Sequence, residues 1–230
     1  MSGITELTII VFAGLIHAML QLGVSAMLTL YHATLGEMIK KKARSLGRDY
    51  LLGAALMNFL TITATCFFIL VIFSGVMPAP ALIIMAGILL MLAFGIWFLY
   101  YRRSTGTELW VPRAFAKFIS ERADDTDDNV EAFSLGMTMA AGEMPFTLAL
   151  IVVAANSILS LPQSTQIMSI FLYVFMAEIP MIILQLAIRQ GKTLVDIQKW
   201  RVRNKNFLKI MAGICYAVLA IFIIVFKVLQ

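Results

Sequence analysis

Two acids lie within stretches otherwise fit for lipid. Glu143, in Ala141-Gly-Glu-Met-Pro145, and Glu178, in Ala177-Glu-Ile-Pro180, each stand two residues before a proline in a long apolar run. A charged side chain at bilayer depth costs roughly 2.5 to 3.5 kcal/mol on insertion scales, against about 0.3 to 0.6 kcal/mol gained for each Leu, Ile, Phe or Val. Pro145 and Pro180 bring no N–H of their own, so they are expected to break their helices and free the carbonyls of Ala141 and Met176, one turn from the acids. Carboxylate plus unpaired carbonyl is an oxygen-rich site for a cation or a proton. The same residues also fit a structural role, in which proline kinks serve packing and a neutral Glu is tied to a neighbouring helix.

Other polar residues recur at helical spacing. His17, Gln21, Ser25 and Thr29 follow one another at intervals of four, which puts them along one face of a helix. Such a stripe faces protein or water, not lipid, either to line a site or to bond a neighbouring helix. His17 is the member able to titrate near neutral pH. Asn58, Thr61 and Thr65 form a second polar face, Thr147 and Gln185 accompany the two acids, and Asn156 lies further along the run of Glu143. Cys66 and Cys215 have no C-x-x-C spacing and read as small buried apolar residues. The run Asp124-Asp-Thr-Asp-Asp-Asn129 starts like a calcium loop, but Val130 stands where glycine is needed and Gly136 where the closing Glu is needed. It reads as a solvated linker.

These residues sit in a chain of 230 that is 61% hydrophobic and 13% charged, where a soluble domain would carry about 25% charged residues. The expected fold class is therefore all-α, a polytopic membrane protein forming a single membrane domain over 1–230. Apolar runs at about 8–30, 50–73, 80–101, 132–158, 166–189 and 207–229 predict six transmembrane helices, each long enough for a core of about 30 Å. Met1 to Glu6 lacks the basic region and cleavage site of a signal peptide, so the first run is expected to stay in the protein. Of 18 Lys and Arg residues, 17 fall in the 40–48 segment, the loop 102–131 or the stretch 189–209, and only Lys227 lies elsewhere. The connections 74–79 and 160–166 carry no charge. Cytoplasmic loops retain Lys and Arg, so 102–131 is a cytoplasmic loop and both termini are expected outside, at what would be a prokaryotic plasma membrane. The net charge of +5 then reports topology, and no nucleic-acid partner is expected. Within the cytoplasmic segments, Arg113 to Arg122 and Lys192 to Asn206 read as interfacial stretches.

The chain also repeats itself weakly. Ile84-Met-Ala-Gly-Ile88 in the third run recurs as Ile210-Met-Ala-Gly-Ile214 in the sixth, and aligning Gly14 with Gly136 sets Gln21 against Glu143 and Gly23 against Pro145. Three helices per half make the second half enter from the opposite side, giving two inverted three-helix repeats with a site at the midplane. In this 3+3 layout with basic loops, in Gly136 to Pro145 as Gly-x-x-x-x-x-x-Glu-x-Pro and in the Lys-Ile-Met-Ala-Gly entry of the sixth helix, the chain resembles the lysine-exporter (LysE) superfamily. That superfamily includes cation exporters and DsbD/CcdA-type thiol carriers. The resemblance implies a transporter that uses intramembrane acids, which Glu143 and Glu178 could supply. The thiol carriers place a reactive cysteine in the first helix of each half, and this chain has none there.

The expected function is thus a secondary transporter, an exporter of a small solute or cation coupled to protons through Glu143 and Glu178, with His17, Gln21 and Asn58 completing the polar lining. Whether a metal is among the cations is open. The alternative is a non-transporting assembly or addressing protein with structural acids and a basic docking face. No enzyme is expected, because H-E-x-x-H, Gly-x-Ser-x-Gly and phosphate-binding glycine loops are all missing from the sequence. No cofactor is expected either. The partners are the lipid bilayer, the solute and, in one reading, further copies of the chain as a homo-oligomer.

Overall fold

The computed structural model describes residues 2–20, 39–98, 118, 121–123, 126, 128–190, 199–200 and 203–229. They build helices α1 (Ser2–Ala18), α2 (Ile39–Phe73), α3 (Ala79–Phe98), α4 (Asn129–Leu159), α5 (Gln163–Arg189) and α6 (Lys205–Ile223), which continues into a π-helical turn, Ile224–Val228. No strand occurs among the described residues. Five helices, α2 to α6, are long and apolar enough to cross a membrane, and α1 adds a shorter apolar helix. Their outward faces are apolar, with Phe67, Ile84, Met91, Phe171, Ile183 and Ile214 all exposed. This is the exterior of a helical integral membrane protein, in which lipid takes the place of water.

Several helix limits differ from those that hydropathy predicts. α2 starts at Ile39, not near 50, so Lys42, Arg44 and Arg48 ride on its first turns. Hydropathy marks where lipid begins, whereas Lys, Arg, Ala and Leu extend a helix readily beyond it. α4 starts at Asn129 instead of 132, which shortens the loop 102–131: the Asp128 carboxylate caps it by accepting from the Val130 N–H at 3.0 Å. The acidic run is therefore not solely a solvated linker, and Thr126 within it is buried, its hydroxyl donating to the Arg122 carbonyl at 2.6 Å. α1, expected over 8–30, begins at Ser2 and ends at Ala18, where Met19 and Leu20 donate back to Ile16 and His17 in tight three-residue steps. Gln21, Ser25 and Thr29 lie outside the described residues. Pro145 and Pro180 do not break their helices: α4 and α5 run through them without interruption. Neighbouring helices and small local adjustments accommodate proline in membrane spans, even though the carbonyls four residues earlier lose their usual donors.

α2 packs most extensively on α4, α3 on α6, and α1 on both α4 and α5. α2 also meets α5, while α3 touches α4 and α1 touches α6. Exchanging α1 with α4, α2 with α5 and α3 with α6 leaves each of these pairings in place, but α4 also meets α5, and no α1–α2 contact of matching extent occurs among the described residues. Two glycines mark matching crossings. A Cβ on Gly136 would overlap the Tyr50 carbonyl oxygen, and one on Gly14 would come within 3.0 Å of the Tyr173 carbonyl oxygen and 2.7 Å of the Met176 Cβ. The glycines are 122 residues apart (14 to 136) and the tyrosines 123 (50 to 173). Small residues let helix backbones approach closely where lipid supplies no hydrophobic drive.

The repeated pentapeptide is treated differently in the two halves. Gly213 in α6 is covered by the indole of Trp97, whose Nε1–H donates to the Ile210 carbonyl at 3.4 Å. Its counterpart Gly87 in α3 faces open space.

Candidate functional site

Four polar side chains from four helices reach one depth. Measured from the end of the bundle where α2 meets α3 and α4 meets α5, His17 lies 15 residues from Ser2, Asn58 15 from Phe73, Glu143 16 from Leu159 and Glu178 15 from Gln163. At 1.5 Å per residue that is about 23 Å along each helix. All four are buried, Glu178 to 3% exposure and Glu143 to 8%. Helix period explains the inward aim: Met139, Glu143, Thr147, Leu150 and Ala154 recur on the buried face of α4.

Within this layer the pairing is specific. His17 Nε2 stands 3.5 Å from Glu143 Oε2, and His17 Nδ1 is 3.0 Å from the Tyr173 hydroxyl. The Asn58 side-chain amide donates to Glu178 Oε1 at 2.8 Å. Glu178 Oε2 is buried with no hydrogen-bond partner among the described residues. Thr147 caps the local geometry of Glu143 by donating its hydroxyl to the Glu143 carbonyl at 3.2 Å. The two carboxyls are close enough to interact electrostatically with each other and with the fully buried phenols of Tyr50 and Tyr173. Tyr216 approaches from α6, its hydroxyl donating to the Phe146 carbonyl at 3.0 Å beside Pro145.

His17, Asn58, Glu143 and Glu178 are thus in one interior layer, whereas Gln21 falls outside the described residues. Gln185, a little further along α5, donates to the Arg44 carbonyl at 3.4 Å and holds α5 to α2. Asn156 lies toward the other end of α4, where its Oδ1 accepts from the Met77 N–H at 2.7 Å and ties the 74–78 connection to α4. Cys66 and Cys215 are free and buried, far apart in sequence and on different helices.

The tyrosines were not singled out from sequence. Tyr50 fell at the expected lipid boundary, where amphipathic rings are common. Tyr173 and Tyr216 lie mid-helix, and a tyrosine there carries a hydroxyl that needs a partner away from lipid; that was the available signal. A second ionic site was also missed. Glu6 in α1 and Lys227 in the π-helical turn form a largely buried hydrogen bond that joins the first helix to the last, and Glu6 Oε2 has no partner among the described residues.

The layer offers carboxyl oxygens, one imidazole, one amide and phenols, which suits uptake and release of a proton or binding of a small cation. Among the described residues no group of three or more His, Cys, Asp or Glu is arranged to hold a metal ion. Comparison with family models, with curated proteins and with solved structures gives no match.

Proposed function

We propose that this protein is a secondary transporter that exports a small solute or cation in exchange for protons carried by Glu143 and Glu178. The observation that carries the reading is the buried Oε2 of Glu178, which has no hydrogen-bond partner among the described residues and lies in the same interior layer as Glu143 and His17. Burying carboxyls from two helices is costly, and an oxygen left without a donor adds to that cost. A site whose occupant comes and goes accounts for both. Asn58 orients Glu178 through Oε1 and leaves Oε2 for the exchanging proton or cation.

The proposed architecture is six spans in two inverted three-helix repeats, as in the lysine-exporter superfamily. The support is that most helix pairings survive exchange of the halves, together with the matched crossings of Gly14 with Tyr173 and Gly136 with Tyr50. In such a fold the site lies between the repeats and alternating access rocks one against the other. The proposed setting is a prokaryotic plasma membrane with both termini outside, on the strength of the basic segments.

Reconstitution into vesicles loaded with a pH-sensitive dye tests the function. A panel of monovalent cations, divalent cations and amino acids is presented under an imposed pH gradient. The wild type is expected to move protons with at least one member, and Glu143→Gln and Glu178→Gln to abolish that flux while still inserting. Equal flux in all three proteins would return the acids to a structural role.

A further inference from the structure

We infer that Tyr173 is a positioning residue that fixes the tautomer of His17, so that Nε2 carries the hydrogen and presents it to Glu143. The inference deepens the transport reading above and concerns the same layer.

His17 has one partner on each ring nitrogen: the Tyr173 hydroxyl at 3.0 Å from Nδ1 and Glu143 Oε2 at 3.5 Å from Nε2. A neutral imidazole has one N–H and one acceptor nitrogen, and a phenol can donate or accept. Tyr173 is wholly buried, and His17 Nδ1 is the only hydrogen-bond partner the described residues give its hydroxyl. If Nδ1 carried the ring hydrogen, the phenol hydrogen would have no acceptor among the described residues, and the Nε2 lone pair would face the Glu143 carboxylate. If Nε2 carries it, the phenol donates to Nδ1 and the ring N–H stands opposite the carboxylate oxygen, 3.5 Å away. Leaving a buried donor unsatisfied is the dearer arrangement. The second tautomer therefore wins, and its choice depends on the Tyr173 hydroxyl. The other titratable groups facing this trio are Tyr50 from α2, Glu178 from α5 and Tyr216 from α6.

The arrangement is compatible with proton uptake. When the unit takes one proton from water and it resides on Glu143, the carbonyl oxygen of the neutral carboxyl can still face the Nε2 hydrogen, and the phenol keeps donating to Nδ1. The unit gains one hydrogen overall, two becoming three across carboxyl, imidazole and phenol. The Tyr173 hydroxyl on α5 thus holds the ring of α1 toward α4 in either protonation state.

The test is a nitrogen-15 spectrum of histidine-labelled full-length protein in lipid, in alkaline buffer, with His32→Gln leaving His17 as the only signal. The expected result is a one-bond nitrogen–hydrogen correlation at Nε2 and none at Nδ1. Tyr173→Phe is expected to abolish that preference. A hydrogen on Nδ1 in the parent, or an unchanged Nε2 tautomer in Tyr173→Phe, would overturn the inference. Should Tyr173→Phe fail to insert, the parent spectrum still decides. The spectrum needs no transport, so an absent flux with the Nε2 tautomer present would sink the transport reading alone, and flux with the Nδ1 tautomer would sink this inference alone.

Discussion

Asn58 on α2 donates its side-chain amide to Glu178 on α5 at 2.8 Å, joining two helices 120 residues apart in the chain. The bond satisfies one carboxyl oxygen and fixes the direction of the other. Interhelical hydrogen bonds in membranes contribute about 0.6 kcal/mol on average and up to about 1.7 kcal/mol. Asn58→Ala is expected to lower stability toward the upper end of that range, read as a lower midpoint in a detergent unfolding titration. Asn58→Leu should do no better, since it fills space without supplying the donor. A midpoint unchanged in both variants would show that the bond adds nothing.

The glycines give a sharper contrast. Gly136→Ala places a methyl against the Tyr50 carbonyl and within 2.9 Å of the Ala54 nitrogen, backbone that has no rotamer to yield. Overpacking of this kind costs about 1 to 3 kcal/mol. Gly87→Ala meets nothing and removes the backbone freedom of a helical glycine, so it should be neutral or stabilise by about 0.5 to 1 kcal/mol. Thermal denaturation in micelles is expected to separate the pair in that order, and the opposite order would refute the close α2–α4 crossing.

Glu6 and Lys227 should behave as a buried pair. Removing one partner of such a pair typically costs about 3 to 5 kcal/mol, while replacing both by neutral residues is often near neutral. Glu6→Gln and Lys227→Met are each expected to destabilise strongly, and the double variant to recover most of the loss. Additive losses in the double-mutant cycle would mean the two side chains do not act as a pair.

Sidedness can be read by labelling. In a background with Cys66 and Cys215 replaced, cysteine at Ser74 or Gln163, both at exposed positions, is expected to react with an impermeant reagent from outside. Cysteine at Ser45 or Ser104 is expected to stay protected. Reversed labelling would invert the proposed orientation.

What could be read from sequence follows from how each residue deals with water. Glu143, Glu178, His17 and Asn58 are conspicuous because their types are expensive in lipid, so their inward aim was legible without coordinates. Their pairing was not: nothing in the spacing says that His17 reaches Glu143 or that Asn58 takes Glu178, because that depends on which helices cross and at what height. Tyr50 and Tyr173 stayed hidden because an amphipathic ring is at home in lipid boundaries as well as in cores. The helix starts at Ile39 and Asn129 were misplaced for a related reason, since polarity ends a lipid contact without ending a helix. Asp128 followed by Glu131 was the overlooked start signal, a side-chain cap with an acid in the first turn.

The unequal treatment of the twin pentapeptides has an energetic meaning. In a molecule whose halves trade conformations, perfect internal symmetry would make its two end states equal in free energy. On the proposed alternating-access reading, Trp97 seated on Gly213, with Gly87 left bare, would lift that degeneracy. The indole would then favour whichever state keeps it seated, and bias the side of the membrane that an idle molecule faces.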